Sequence, residues 1–317
     1  MRAPAFWQTD GVWPHVLAPL SAIVTAATAR RVARAGWRAP VPVICCGNAS
    51  VGGSGKTTLA LDLGARLRAR GIAVAFLTRG YKGRVRDAVR VIPEHRAAEV
   101  GDEAVLLAAM APTYVAADRA VSARAAIADG AAALVMDDGL QNPTLRRDLA
   151  FLVIDGAAGF GNARVLPAGP LREPAAAAAA RCQAAVLIGP DERGAARMLP
   201  AGLPILRASL RSEFEPSLGR LHAFAGIGRP EKFFASLRQA GAEVVGSSSF
   251  PDHHAYTGTE IARLLGEAAA SGATLVTTPK DHARLPRDAA ASVRAVGVTL
   301  QWDAPDEIEA LLRRWVP

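Results

Sequence analysis

Lysine is nearly absent from this 317-residue chain, with Lys56, Lys82, Lys232 and Lys280 the only four. The net charge of +8 is therefore carried almost wholly by arginine. A basic surface favours an anionic partner: a nucleotide, an acidic lipid or a nucleic acid. Neither the aromatic-and-basic pattern of an RNA reader nor the spacing of a zinc finger occurs, so no nucleic acid is expected. Cysteine is scarce as well. There are three, two of them adjacent at Cys45 and Cys46. They make no disulfide framework and no zinc spacing, which leaves a reduced, cytosolic setting as the default. No basic segment followed by a small-residue cleavage site opens the chain, which argues against a secretory signal. No internal repeat is visible.

Formal charge is also missing from Gly11 to Ala29. Trp7 and Trp13 flank or open this run, and Trp37 follows it with Arg30, Arg31, Arg34 and Arg38. Leu17, Leu20, Ile23, Val24 and Ala27 recur at helical spacing. Pro14, Pro19, His15 and several hydroxyl residues keep the run only mildly apolar. A helix lying in one leaflet, with arginines at the headgroups, fits this better than a membrane span. The alternative is a helix packed on the body of the protein.

What the chain does hold is a glycine-rich turn. Val43 to Thr58 reads Val-Ile-Cys-Cys-Gly-Asn-Ala-Ser-Val-Gly-Gly-Ser-Gly-Lys-Thr-Thr. A short apolar strand leads through Ser50, Val51, Gly52, Gly53, Ser54 and Gly55 into a helix at Lys56 and Thr57. Such a loop aims successive backbone N–H groups at phosphate oxygens, and the helix start adds donors and partial positive charge. Lys56 reaches the terminal phosphates, and the Thr57 hydroxyl suits Mg²⁺. Ser50 stands where the strict pattern has glycine. A nucleotide with Mg²⁺ is the expected ligand.

Half the residues are hydrophobic, enough for two cores in a chain of this length. Strands are expected at Ala73 to Thr78, Thr113 to Ala116, Ala131 to Met136, Phe151 to Ile154 and Ala184 to Ile188, with helices between them. That alternation predicts an α/β fold: a P-loop-type, mostly parallel sheet with helices on both faces. Ligands then gather at the carboxyl ends of the strands. Pro190 to Pro216 shows no strong period, so a boundary is placed near Ser209. The expected organisation is an amino-terminal membrane-associated segment over 1–38, a P-loop unit over 39–208 and a smaller α/β unit over 209–317. The smaller unit is expected to hold strands at Leu221 to Ala225, Ala242 to Val245 and Thr274 to Thr277.

Chemistry-bearing residues cluster at expected strand ends. Asp137 and Asp138 follow an apolar strand, where a carboxylate can hold Mg²⁺ directly or through water. Glu173 is a second metal candidate, placed in the first turn of an alanine helix. Asp252-His253-His254 suggests a metal site, a proton relay or a surface turn. Thr277 to Asp281 ends a strand and offers Lys280 as a cation at the cleft.

Together, Gly47-Asn48 with the glycine loop, Arg79-Gly80-Tyr81, Gly101-Asp102-Glu103, Asp137 to Gln141, Leu166 to Glu173, Asp252 to His254 and Thr278 to Asp281 resemble the tetraacyldisaccharide 4′-kinases, the lipid A 4′-kinases. The likeness runs along nearly the whole chain in the same order. It implies transfer of the γ-phosphate of ATP to the 4′-hydroxyl of an acylated glucosamine disaccharide phosphate. It also implies work at the cytosolic face of a Gram-negative inner membrane, with no obligate protein partner. By resemblance, Asp102 is the base and His253 its partner. Asp137, Asp138 and Glu173 serve the metal and nucleotide, and Arg79, Arg119 and Arg172 meet phosphates. Two positions depart from the family pattern: Thr58 replaces a frequent proline, and Lys82 a common glycine. A competing reading is a membrane-bound regulatory ATPase of the partition or septum-positioning class. Its second lysine would precede the paired glycines, where this chain has Val51.

Overall fold

Two sheets share one chain in the computed structural model, which describes residues 4–85 and 87–316. The larger takes β1 (Val43–Gly47), β2 (Val74–Thr78), β3 (Val89–Arg90), β4 (Thr113–Val115), β5 (Ala133–Asp137), β6 (Leu149–Asp155), β7 (Ala184–Ile188) and β8 (Ile205–Ser212). The chain then builds β9 (Leu221–Ala225), β10 (Val244–Ser249), β11 (Thr274–Thr277) and β12 (Arg294–Ala295) into the smaller sheet. Finally β13 (Val298–Trp302) returns to the larger one. The larger sheet runs β13-β8-β7-β6-β1-β5-β2-β4-β3, and the smaller β10-β9-β11-β12. Pairings are parallel except β13 with β8 and β3 with β4, both at sheet edges.

The central strands are fully buried and apolar except for Asp137 at the end of β5, as strands covered on both faces must be. Leu59, Leu63 and Leu67 of the helix Lys56–Ala69 seal one face with Phe76 and Phe151. Leu140, Leu171 and small alanines fill the other. The smaller sheet has its own cores, one around Phe233, Phe234 and Leu237 and another around Phe224, Ile261 and Leu264.

The stretch read as patternless contains β8, and the boundary expected at 209 falls within that strand. Leu206 and Ala208 face inward while Arg207 and Ser209 face out or pair with β13, a short alternation that turn residues on both sides obscure. The segment 298–316 does not stay with the smaller sheet. β13 pairs with β8, and Ile308 and Leu312 of the closing helix Pro305–Trp315 pack into the core of the larger unit. The smaller unit is thus inserted between two strands of the larger, over about 221–295. Its second strand begins at Val244, two residues later than expected from Ala242.

At the amino end, short helices Val12–Val16 and Ala18–Val32 lie on the surface of the larger unit. The Trp7 indole donates to the Pro167 carbonyl (3.1 Å), and the Ser21 hydroxyl to that of Val165 (2.7 Å). Among the described residues no helix is long and apolar enough to cross a membrane.

Candidate active site

β1 delivers the chain to the glycine loop. Gly52 and Gly55 take positive φ (112° and 89°), a region that side chains disfavour. A Cβ on Gly55 would stand 2.6 Å from the Ile188 side chain. The loop is held from behind by the segment after β6. Val51 donates its backbone N–H to Pro170 (2.8 Å), and Arg172 donates its own to Ala49 (2.6 Å). Inside the loop, Asn48 donates to Ser54 Oγ (3.0 Å) and, more weakly, to Ser50 Oγ (3.4 Å).

Lys56 and Thr57 open the helix, and each meets one of the paired aspartates. The Thr57 hydroxyl donates to Asp137 Oδ2 (3.0 Å). Lys56 Nζ lies 3.9 Å from Asp138 Oδ1, which also accepts from Arg172 Nη1 at 2.8 Å. The aspartates are adjacent yet point apart because Asp138 sits at φ 53°, in the left-handed region, just past the end of β5. Their ionisation differs accordingly. Burial, with Glu103 nearby, pushes Asp137 up to about 7. Burial also raises Asp138, but Lys56 and Arg172 outweigh it and hold that carboxyl below its ordinary value. Asp137 Oδ1 is buried without a hydrogen-bond partner among the described residues. An orphaned buried carboxylate oxygen beside a threonine hydroxyl fits a divalent cation. No group of three or more His, Cys, Asp or Glu side chains among the described residues could cage a metal alone. Mg²⁺ that takes further ligands from phosphates and water needs no such cage.

Glu173 stands elsewhere in the network. It precedes the short helix Ala175–Ala179 rather than lying in its first turn. Its Oε1 accepts from Arg181 (2.7 Å) and Gln141 (2.7 Å), and Gln141 also donates to the Asn48 carbonyl (2.9 Å). Glu173 thereby braces the strand-to-loop junction, and Arg181 and Gln141 are partners that the sequence reading did not assign. Arg119 is buried, with Nε unpartnered, and burial lowers it to about 10 although Asp138 and Asp137 pull the other way. Arg79 is exposed at the end of β2 and adds to the positive field on Arg119.

The smaller unit closes the site from across the cleft. Gly101, at φ 90°, passes so close to the turn after β2 that a Cβ would lie 2.8 Å from the Tyr81 carbonyl. It sets Asp102 and Glu103 at the start of the helix Asp102–Ala108. His253, in left-handed conformation at φ 62°, brings Nδ1 to 3.4 Å from Asp102 Oδ2. The Tyr81 ring packs edge-on to it at 5.9 Å. His254 turns away to Glu260 (3.0 Å) and stacks against Phe250 (4.9 Å), a structural role within its own unit. Lys280 donates to Glu103 Oε1 (2.7 Å), an ion pair between the smaller unit and the larger. Arg284 also reaches the site: Nη2 bonds Asp102 Oδ2. The sequence reading missed Arg284, although it lies on the turn that follows Lys280 and Asp281. Burial works against the Asp102 charge, but His253 and Arg284 overcome it and hold the carboxyl well below the usual carboxylate range. Burial works against the Lys280 charge, but Glu103, Asp102 and Asp137 outweigh it and hold the ammonium above its ordinary value. Lys82, where glycine is common, indeed has positive φ (63°), the conformation a glycine takes without strain.

Comparison with known proteins matches residues 13–316 to the family model for tetraacyldisaccharide-1-P 4′-kinase. A tetraacyldisaccharide 4′-kinase of Gluconacetobacter diazotrophicus is 58% identical over 322 residues, covering 100% of this chain and 98% of that protein. One from Rhodospirillum centenum is 50% identical over 323 residues, covering 98% and 96%. Among solved structures, LpxK from Aquifex aeolicus, in complex with ATP, superposes with a TM-score of 0.78 at 27% identity, covering 96% of this chain and 100% of that one.

Proposed function

The chain belongs to the tetraacyldisaccharide 4′-kinase family, and we propose that its phosphoryl transfer takes place in the cleft between the glycine loop and the Asp102–His253 pair. It is an ATP-dependent kinase whose acceptor is the 4′-hydroxyl of a tetraacyldisaccharide 1-phosphate, a lipid A precursor. The observation that carries the site assignment is the pairing of Lys56 and Thr57 with Asp138 and Asp137 under one glycine loop.

In this reading, backbone N–H groups of residues 50–57 cradle the phosphates, and Lys56 leaves Asp138 to neutralise the transferred group. Arg172, Arg79 and Arg119 add positive field around them. Thr57 and Asp137 would hold Mg²⁺, with Asp138 beside them, and Glu173 steadies the loop through Gln141. The bound cation would offset charge on the β- and γ-phosphate oxygens. Asp102 accepts the hydroxyl proton as the new oxygen–phosphorus bond forms and the bond to ADP breaks. His253 orients it and shares that proton. An ionised but weakly basic aspartate suffices because the proton leaves late, as charge moves off the acceptor oxygen.

The amino-terminal helices expose Val12 (76%), Trp13 (63%), Val16 (60%) and Ile23 (65%), an apolar face beside the arginines after residue 29. This supports seating on the cytosolic face of the inner membrane, where an acylated acceptor resides. The test is to incubate the purified protein with labelled ATP and a micellar acylated disaccharide 1-phosphate. Label on the lipid, lost in Lys56→Ala, is the expected result. ATP hydrolysis without label on lipid would refute the reading.

A further inference from the structure

Arg284 stands apart from the glycine loop, yet it is the most enclosed cation facing Asp102. Its side chain is 9% exposed and that of Asp102 is 4% exposed. The guanidinium spends one nitrogen, Nη2, on Asp102 Oδ2. The other, Nη1, donates to Asp281 Oδ1 (3.0 Å) and to the Gly226 carbonyl (3.0 Å). Asp281 is fully buried and is itself fixed by four more hydrogen bonds, three of which its carboxylate accepts. Tyr256 OH (2.9 Å) and the Gly226 backbone N–H (3.0 Å) meet Oδ1, the Thr278 hydroxyl meets Oδ2 (2.6 Å), and Thr278 Oγ1 accepts the Asp281 N–H (3.1 Å) in return. Each of these partners belongs to the smaller unit, whereas Asp102 belongs to the larger.

From this geometry we infer that Arg284 is a positioning residue for the base: it grips Asp102 from the opposite unit, so that Asp102 is aligned only when the two units are seated together. The inference rests on the assignment of Asp102 as base. An exposed arginine could not do this, because a solvated ion pair is weak and its side chains wander. Here the guanidinium is anchored at its other nitrogen, so its reach toward Asp102 is fixed by a buried network rather than by a free rotamer. The grip falls on Oδ2, the oxygen that His253 also faces. Held from two sides at that one oxygen, the carboxylate has less room to move, which is what a proton acceptor in a cleft requires.

The grip also has an electrostatic consequence. The charged and titratable groups facing Asp102 are His253, Arg284, Lys280 and its neighbour Glu103. Asp252 stands behind His253, and Asp281 behind Arg284. Removing Arg284 takes away a cation in direct contact, so the Asp102 carboxyl must then protonate at a higher pH.

The experiment compares wild type with Arg284→Met, Arg284→Lys and Asp102→Asn in full-length protein, following lipid phosphorylation across pH and ATP binding by fluorescence. Arg284→Met is expected to lower kcat by about tenfold to a hundredfold with ATP affinity unchanged, since the phosphate loop is untouched. Arg284→Lys should fall between it and wild type, again with ATP affinity unchanged. Added guanidinium ion should restore part of the activity of Arg284→Met. Undiminished kcat, or a loss that guanidinium ion leaves unrelieved, would overturn the inference. Should Arg284→Met fold poorly, Arg284→Lys decides alone: a kcat equal to wild type would refute the role, and a lowered kcat at unchanged ATP affinity would support it. Asp102→Asn separates the two levels. Full activity in that variant removes the base assignment itself, whereas an inactive Asp102→Asn beside a normal Arg284→Met removes only the positioning role.

Discussion

Adjacent residues of one type do opposite things here, and geometry decides which. Asp137 keeps to the strand and turns a free oxygen into a buried space, while Asp138 bends into left-handed backbone to meet Lys56 and Arg172. Asp138→Asn should therefore uncouple Lys56 and weaken ATP binding. Asp137→Asn should spare nucleotide binding in the absence of metal and weaken it only with Mg²⁺, a difference that titrations with and without chelator would measure. His253 and His254 divide in the same way. Asp102→Ala and His253→Ala should each lower turnover by about a hundredfold or more, and the double variant should be scarcely worse than the poorer single one, because partners in one unit are not additive. His254→Ala should stay within about threefold of wild-type turnover and instead cost stability, since its ring touches Phe250 and Glu260 rather than the cleft. Steady-state kinetics beside thermal melts would separate these outcomes.

Among the elements, the segment from Arg164 to Glu173 has the widest reach. It receives Ser21 and Trp7 of the amino-terminal helices on one side and holds the glycine loop through Pro170 and Arg172 on the other. Deleting the amino-terminal helices would thus disturb the phosphate loop as well as the membrane face. Point changes on the exposed face are the cleaner test. Trp13→Ser with Ile23→Ser should reduce co-sedimentation with anionic vesicles by about tenfold, because two large apolar groups no longer enter the interface. The melting temperature should stay unchanged, both side chains being more than 60% exposed. Unaltered sedimentation would favour a helix whose only task is packing. A second element-level feature is the helix Gly258–Ala270, whose start carries a complete capping box between Thr257 and Glu260. Thr257→Ala should cost about 1 kcal/mol, read from chemical denaturation.

At the scale of the molecule, ion pairs join the two units on both sides of the cleft. Asp102 meets Arg284, Glu103 meets Lys280, and Asp155 at the end of β6 meets Arg229 and Lys232. The pairs differ in shelter. Arg229 and Lys232 are exposed, so their contribution should fade with salt, whereas Asp102 and Arg284 are enclosed. The folded-state pKa of Asp102 is depressed, so its stabilising share is present above the unfolded value of about 3.9 and is lost as pH falls through the lower folded value. Stability of the wild type should accordingly drop below about pH 4. Asp102→Asn should be less stable at neutral pH and show a shallower decline on acidification, checked by denaturant titration at a series of pH values.

The sequence by itself determined the local features. Apolar runs of about five residues can only be buried strands between helices, and a glycine turn before Lys56 and Thr57 can only present N–H groups and a cation at the mouth of that sheet. Lys56, Thr57, Asp137 and Asp138 could be read as neighbours because each follows a strand or opens a helix at the carboxyl edge of the sheet, where ligands collect, whereas Asp102 and His253 were paired only by the family resemblance. Four things were not readable. β13 is an edge strand that joins β8 through backbone groups, so the side chains of the pair carry little signal. Their pairing made the smaller unit an insertion, which no local pattern records. Glu173 turned to Arg181 and Gln141, a choice between partners distant in sequence. Arg284 looked like one surface arginine among many until Asp281, Tyr256 and Thr278 enclosed its far side and left it a single direction to reach. Local propensity and motif chemistry act over a few residues; which charge is buried against which is settled only when two units meet and exclude the water between them.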